Sequence, residues 1–254
     1  MAPVLAVYVS GHGFGHATRT AHVLRAVRAL EPDLPIAVAS SVPERIFRDA
    51  VSGPLECRVL QCDVGLAQKD ALAIDEEATV ERCRAFEREM PARVAREAEW
   101  LRRAGARLVL ADIPPLAFRA AAAAEVPSVG LGNFSWDWIY AHLARRVPGF
   151  REPSDAAREA YSRAGLLLEL PFAGDLSAFT WREKIPMVAR RPRRPREETR
   201  RALGLAEGET AVLLSFGGIG FPGFDPRALA GIPGFTFLLE TERPDLPANV
   251  NALS

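Results

Sequence analysis

The sequence contains few lysines, few cysteines and no excess of either charge. Lys69 and Lys184 are its only lysines, so arginine supplies the rest of the 32 basic residues, which 32 acidic residues balance. A net charge of zero gives no support for a general nucleic-acid binder. No apolar run approaches the roughly 18–20 residues of a membrane-spanning helix, and the apolar start lacks the basic residue and cleavage site of a signal peptide.

The three cysteines also exclude some classes of protein. Cys57, Cys62 and Cys83 are an odd number and include no CxxC pair. A disulfide framework and a cysteine-based zinc site are therefore disfavoured. We expect a reduced, cytoplasmic protein that holds no metal ion and no resident cofactor.

Strand and helix patterns alternate through the first half of the 254 residues. Short apolar runs predict buried parallel strands at residues 4–9, 36–39, 57–60, 108–111 and 128–131. Helical patterns lie between them, the longest from about Asp75 to Ala104, with Gly105 as its C-cap and Pro91 expected to break or kink it. This alternation predicts an α/β fold with a Rossmann-like parallel sheet, in which ligands bind beyond the carboxyl ends of the strands.

A proline-broken, arginine-rich stretch predicts a domain boundary. Residues 189–201 read ARRPRRPREETRR and lack an apolar period, which favours a solvated linker over a phosphate-binding patch. Two more strand patterns follow, at residues 211–214 and 235–239, and the tail from Asn249 shows no closing element. We therefore predict a domain over residues 1–188, a linker over 189–201, and an incomplete second Rossmann-like domain over 202–254.

The turn after the first strand is the most informative segment. It reads SGHGFGHATR, and Gly13 and Gly15 allow a tight turn and a close approach of ligand to backbone N–H groups. The glycines fall at alternate positions rather than in the G-x-G-x-x-G spacing, and no carboxylate ends the second strand, so a nicotinamide or flavin enzyme is disfavoured. His12 and His16 lack the H-E-x-x-H arrangement of zinc proteases.

His16 is our candidate for a general base. It opens the first helix at the carboxyl edge of the predicted sheet, where the positive end of the helix dipole disfavours the protonated ring. A carboxylate holding its other nitrogen would orient it. Asp112 ends the fourth strand at the same edge, and Asp137 is the alternative partner.

An aromatic cluster follows the fifth strand. The segment NFSWDWIY, residues 133–140, places Asn133 and Asp137 beside Trp136. Aromatic rings next to polar groups suit a sugar or another amphipathic ligand, although such rings are also common in a protein core. We treat these three residues, with His12, Gly13 and Gly15, as candidates for binding such a substrate.

Four segments together carry a resemblance to known proteins. They are GHGFGHATR at residues 11–19, DVGLAQKDAL at 63–72, Asp112 with its two prolines, and NFSWDWIY at 133–140. They resemble the glycosyltransferase-like N-terminal region of plant L-arabinokinases and its stand-alone bacterial relatives. The kinase half of the arabinokinases has no counterpart here, so the resemblance does not imply sugar kinase activity.

The resemblance extends to the two-domain GT-B glycosyltransferases. It implies that His16 serves as the base, that Asp112 pairs with it, and that the first domain holds the acceptor. It also implies that Gly217, Gly218 and Gly220 lie near the diphosphate of a nucleotide-sugar donor. The later donor-binding segments of the family are absent from this chain, so we expect the chain alone to be inactive. No D-x-D triplet occurs, which argues against the metal-dependent GT-A class.

These observations predict an inverting hexosyltransferase-like enzyme that moves a sugar from a nucleotide sugar to a small-molecule, glycan or lipid acceptor. Two alternatives stay open. A nucleotide-sugar epimerase shares the architecture but needs further acid–base groups in the cleft. A non-catalytic sugar- or nucleotide-sensing module would bind a nucleotide sugar without releasing the nucleotide.

Overall fold

The computed structural model describes residues 3–190, 192–215 and 223–253. These residues form two compact units. The larger contains residues 1–67 and 74–189, and the smaller contains residues 68–73 and 190–254.

The larger unit alternates strands and helices along the chain. In order, its elements are β1 (Val4–Val9), α1 (Phe14–Leu30), β2 (Ile36–Ser40), α2 (Arg45–Arg48), β3 (Leu55–Val59), α3 (Glu76–Ala104), β4 (Ala106–Asp112), α4 (Pro115–Ala124), β5 (Ser128–Gly132), α5 (Trp136–Leu143), α6 (Arg151–Tyr161), β6 (Leu166–Glu169) and β7 (Arg182–Lys184). The strands form one parallel sheet in the order β3-β2-β1-β4-β5-β6-β7. The predicted parallel α/β sheet is thereby confirmed.

Both faces of this sheet are covered, which explains its continuous apolar strands. Successive residues of a strand point to opposite faces. In β1, Ala6 and Tyr8 pack into a core with α3, α4, α5 and α6. Leu5, Val7 and Val9 point to the other face and pack with α1 and α2.

The strand order reverses direction between β1 and β4. The chain leaves β1 for β2 and β3 on one side, then returns through α3 to place β4 on the other side of β1. Val9 at the end of β1 is paired with Asp112 at the end of β4. Ligands in open parallel sheets bind at such a switch point, so the topology directs attention to the loops that follow these two strands.

Helix α3 ends at the predicted C-cap, Gly105, and does not end at Pro91. The Asp75 side chain accepts a hydrogen bond from the Ala78 N–H at 3.0 Å, and Gly105 ends the helix in the left-handed conformation. The helix runs through Pro91 without a break, so of the two outcomes that we expected at this residue the break does not occur. Phe86 and Met90, which precede Pro91 in the helix, are buried, and this packing outweighs the backbone hydrogen bond that proline cannot make.

The smaller unit has its own parallel sheet. Its elements are α7 (Arg196–Ala202), β8 (Thr210–Leu214), β9 (Phe235–Glu240) and β10 (Val250–Leu253), and its strand order is β10-β9-β8. We expected no closing element in the tail, and β10 corrects that expectation. Its four residues have too little pattern to predict a strand alone, and the strand forms through backbone pairing with β9. Across both units, no helix in the described part of the chain has the length and apolar character needed to cross a membrane.

Candidate functional site

The switch point brings His16 and Asp112 into contact. His16 lies in the first turn of α1, just after β1, and Asp112 is the last residue of the neighbouring β4. The His16 Nδ1 atom lies 2.7 Å from Asp112 Oδ1, and both side chains are buried. The Ser10 N–H donates to the Asp112 carbonyl at 2.9 Å, which ties the start of the glycine turn to the end of β4.

Besides His16, two further residues contact the Asp112 carboxylate. The Arg19 guanidinium contacts both carboxylate oxygens, at 2.9 Å from Nε and 2.5 Å from Nη2, and the Thr20 hydroxyl donates to Oδ2 at 2.8 Å. Burial alone would raise the pKa of Asp112, but the hydrogen bonds from Arg19 and His16 outweigh burial and hold the pKa below its ordinary value. Asp112 is therefore ionised, and both of its oxygens act only as acceptors.

This charge state decides which nitrogen of His16 carries the proton. Because Asp112 can only accept, Nδ1 must donate to it, and the neutral ring then bears its lone pair on Nε2. Among the described residues, no hydrogen bond to Nε2 is made. A neutral imidazole oriented in this way can accept a proton at Nε2, which is the geometry of a general base held by a carboxylate.

His12 and Asp63 are two further acid–base residues, and both contact Trp136. The loop after β3 carries Asp63, which accepts a hydrogen bond from the Trp136 indole N–H at 2.9 Å. The His12 ring meets the edge of Trp136 at 5.3 Å, and its Nδ1 accepts from the Leu66 N–H at 3.4 Å. Burial lowers the pKa of His12 and raises that of Asp63, so both environments favour the neutral forms.

The other predicted binding residues fall into two groups. Asn133 is at the site, since its Oδ1 accepts from Arg19 Nη1 at 3.3 Å. Trp136 is almost completely buried, so its ring is not exposed for stacking on a ligand. It contacts Asp63 and His12 instead. Asp137, our alternative partner for His16, instead accepts from the Ser135 hydroxyl and lies 3.4 Å from Arg158.

The glycine turn is open where a ligand would approach it. Gly13 precedes the first helical residue with a φ of 79°, a conformation that glycine adopts without strain. A Cβ atom added at Gly13 or Gly15 would meet nothing within 4 Å. The candidate donor residues Gly217, Gly218 and Gly220 lie outside the described residues.

Sequence reasoning missed three residues of this site. Arg19 and Asp63 enter the sequence analysis only within longer motifs, and Thr20 is not mentioned there. Arg19 could have been found, because side chains three apart on a helix are neighbours and His16 was already a candidate. Asp63 follows β3 by a few residues at the same sheet edge, so the rule that selected Asp112 also applies to it.

Comparison with known proteins supplies a relative in sequence and several in fold. No family model matches the chain. Its sequence is 38% identical over 221 residues to L-arabinokinase from Arabidopsis thaliana, a match that covers 85% of this chain and 21% of that protein. The chain thus spans about a fifth of the length of this relative.

Solved glycosyltransferase structures share the fold over nearly the whole chain. A UDP-glucosyltransferase from Polygonum tinctorium gives a TM-score of 0.61 at 14% identity, covering 98% of this chain and 68% of that one. UGT2 from Phytolacca americana, which was solved with UDP-2fluoro-glucose and pterostilbene, gives a TM-score of 0.59 at 11% identity. That match covers 98% of this chain and 67% of the UGT2 chain. SnogD from Streptomyces nogalater gives a TM-score of 0.54 at 17% identity, and the match covers 99% of this chain and 70% of the SnogD chain. The chain is thus similar in sequence to a segment of L-arabinokinase, and it has the fold of solved GT-B glycosyltransferases.

Proposed function

We propose that this chain carries the acceptor side of an inverting glycosyltransferase in which His16 is the general base. The observation that carries the proposal is the 2.7 Å contact between His16 Nδ1 and an ionised Asp112, which leaves Nε2 to accept a proton. The contact lies at the switch point of a parallel sheet, where ligands bind in this class of fold.

The proposed reaction is a single displacement. An acceptor hydroxyl gives its proton to His16 Nε2 as its oxygen attacks the anomeric carbon of the donor sugar. The bond from that carbon to the diphosphate oxygen breaks, and the electron pair leaves with the nucleoside diphosphate. Attack from the face opposite the leaving group inverts the anomeric configuration. Asp112 keeps the ring oriented and stabilises the imidazolium that forms.

The donor side of the proposal rests on the resemblance to other glycosyltransferases. We propose that residues 1–188 bind the acceptor, that 189–201 link the two domains, and that 202–254 begin the domain for a nucleotide sugar. Gly217, Gly218 and Gly220 would meet the donor diphosphate through backbone N–H groups. A UDP-sugar is the first donor to test, since the Phytolacca americana enzyme was solved with UDP-2fluoro-glucose. The reaction as proposed uses no metal ion and no resident cofactor.

The test is turnover by the full-length protein with a panel of nucleotide sugars and acceptors. We expect release of the nucleotide only when an acceptor is present, and a product of inverted anomeric configuration. His16→Ala should lower kcat by about 100- to 10,000-fold if the ring is the base. His142→Ala is the matched control, because His142 is exposed on α5 outside the site, and it should leave kcat unchanged. Wild-type turnover in His16→Ala would remove the assignment of the base.

A nucleotide-sugar epimerase is the second candidate, and Asp63 with His12 favours it. An epimerase needs more than one acid–base pair in its cleft. Trp136 contacts both Asp63 and His12, and it also meets Phe134, the ring that contacts His16. Incubation with a nucleotide sugar and no acceptor separates the two functions. A new nucleotide sugar with changed configuration, formed at a rate that Asp63→Asn lowers, would establish the epimerase. Binding without any reaction would instead indicate a sensing module.

A further inference from the structure

We propose that Arg19 is a positioning residue that locks the Asp112 carboxylate and offsets its charge, so that the His16 ring stays neutral and ready to accept a proton. Its meaning for catalysis rests on the proposed function. Its electrostatic part concerns only the folded chain, so it can be tested without any turnover.

The guanidinium fork fixes the carboxylate from both sides. Arg19 donates from Nε to Oδ2 at 2.9 Å and from Nη2 to Oδ1 at 2.5 Å. His16 adds a second donor to Oδ1, and Thr20 adds a second donor to Oδ2. With two donors on each oxygen, Asp112 has a single orientation. Bidentate contacts of this kind give geometric specificity that a lysine cannot supply.

Arg19 is also close enough to His16 to affect its charge. The Arg19 Nη2 atom lies 3.3 Å from His16 Nδ1. Because both nitrogens donate to the same Asp112 oxygen, this short approach is an electrostatic contact rather than a hydrogen bond between them. When the His16 ring is neutral, the positive charge of Arg19 and the negative charge of Asp112 offset each other. A protonated ring would place two cations against one carboxylate in a buried site, where charge interactions are poorly screened.

The other described groups around His16 do not supply a permanent positive charge as Arg19 does. The charged or titratable neighbours are Arg19 on α1, Asp112 at the end of β4, Asp63 after β3 and His12 in the glycine turn. From the β5 side, Phe134 meets the His16 ring edge-on at 5.4 Å and carries no charge. Burial favours the neutral forms of Asp63 and His12. Arg19 is therefore the permanent cation of the cluster.

The hydrogen bonds of Arg19 indicate an internal role rather than a ligand anchor. Nε and Nη2 are directed at Asp112, and Nη1 donates to Asn133 Oδ1 at 3.3 Å. The side chain is only 18% exposed. Each of the three guanidinium nitrogens thus donates to a partner within the protein. This arrangement separates Arg19 from the arginines that bind anions directly.

The test is an NMR titration of the histidine rings in the purified chain. Four histidines make the spectrum simple, and His16→Gln identifies the signal of His16. In Arg19→Gln, we expect the pH midpoint of the His16 signal to rise by about one pH unit or more, because the nearby cation is lost. Arg25→Gln is the control. It makes the same change on an exposed position of α1 and should leave the midpoint unchanged. A folded Arg19→Gln with the wild-type midpoint would overturn the proposal.

Two further variants keep the test decisive if Arg19→Gln does not fold. Arg19→Lys retains the cation and loses the fork, so the midpoint should stay near the wild-type value. Thr20→Val removes one neutral donor from Asp112 and should also leave the pH midpoint of the His16 signal near the wild-type value. A rise in either variant equal to that expected for Arg19→Gln would show that geometry, not charge, controls the ring.

The turnover measurement is separate. In an active full-length protein, the acid limb of kcat/KM should move to higher pH in Arg19→Gln, by the same amount as the NMR midpoint. If no variant shows transferase activity, the proposed function fails while the NMR result stands. If turnover is normal and neither the midpoint nor the acid limb moves, the role of Arg19 fails instead.

Discussion

Val9 and Asp112 lie opposite each other at the ends of β1 and β4, and this pairing creates the candidate site. The glycine turn that follows Val9 delivers His16 to the same edge of the sheet at which β4 delivers Asp112. Two strands of the core therefore position His16 and Asp112. We expect perturbations of it to affect both the stability of the larger unit and its chemistry.

The first prediction concerns Asp112 and acid pH. Its pKa is held below the ordinary value of about 4, because hydrogen bonds from Arg19 and His16 outweigh the effect of burial. A carboxyl group whose pKa is lower in the folded state stabilises the fold fully above its unfolded pKa. That contribution disappears as the pH falls through the folded pKa. The wild type should therefore lose free energy of unfolding below about pH 4.

Asp112→Asn tests this prediction by urea unfolding between pH 3 and 7. The variant should be less stable than the wild type at neutral pH, and the gap between the two should narrow as the pH falls. Asp155→Asn is the control, since Asp155 is exposed on α6, and its curve should parallel the wild type. A gap between Asp112→Asn and the wild type that is constant across this range would contradict the lowered pKa.

The sequence predicted the parts of this fold that have a one-dimensional pattern. Buried parallel strands such as β1 and β4 appear as apolar runs, and the edge rule then selected Asp112 for His16. β7 was missed because its residues, Arg182–Lys184, are charged and exposed and join the sheet only through backbone pairing with β6. Arg19 was missed because a polar helix position looks solvated until the fold places a buried carboxylate beside it.

The second prediction concerns a buried charge cluster on the face of the sheet covered by α3. Glu97 accepts from the Tyr8 hydroxyl at 2.8 Å and from both terminal nitrogens of Arg58 at 2.9 Å. The Arg58 guanidinium also lies 3.8 Å from the centre of the Trp100 ring. Glu97→Gln removes one partner from a pair that is largely shielded from water, so it should cost about 3 kcal/mol of unfolding free energy.

A double-mutant cycle with Arg58→Met isolates the pair. We expect a coupling energy of about 1–3 kcal/mol, because the cycle cancels the separate loss of the Trp100 contact. The exposed pair of Glu44 and Arg48, four residues apart and in contact at 3.0 Å, provides the matched control. The same two substitutions there should show no measurable coupling, since water screens that pair. Equal coupling in the two cycles would contradict the structural role of Glu97.

The third prediction compares two glycines that share a backbone conformation. Gly65 and Gly105 have φ angles of 65° and 68°, so alanine should introduce similar backbone strain of about 1–2 kcal/mol at each. Their surroundings differ. A Cβ atom at Gly105 would meet nothing within 4 Å, whereas at Gly65 it would lie 2.7 Å from the His12 ring.

Gly65→Ala should therefore lose more unfolding free energy than Gly105→Ala, and only Gly65→Ala should change the NMR signals of the His12 ring. The ring must move because the approaching Gly65 backbone is fixed by the Tyr140 hydroxyl, which donates to the Gly65 carbonyl at 2.8 Å. Movement of His12 would disturb its contacts with Trp136 and with the Leu66 N–H, so ligand affinity at the site should fall in Gly65→Ala alone. Equal losses of unfolding free energy in the two variants, with unchanged His12 signals, would mean that Gly65 in the loop after β3 does not pack closely against His12 in the glycine turn.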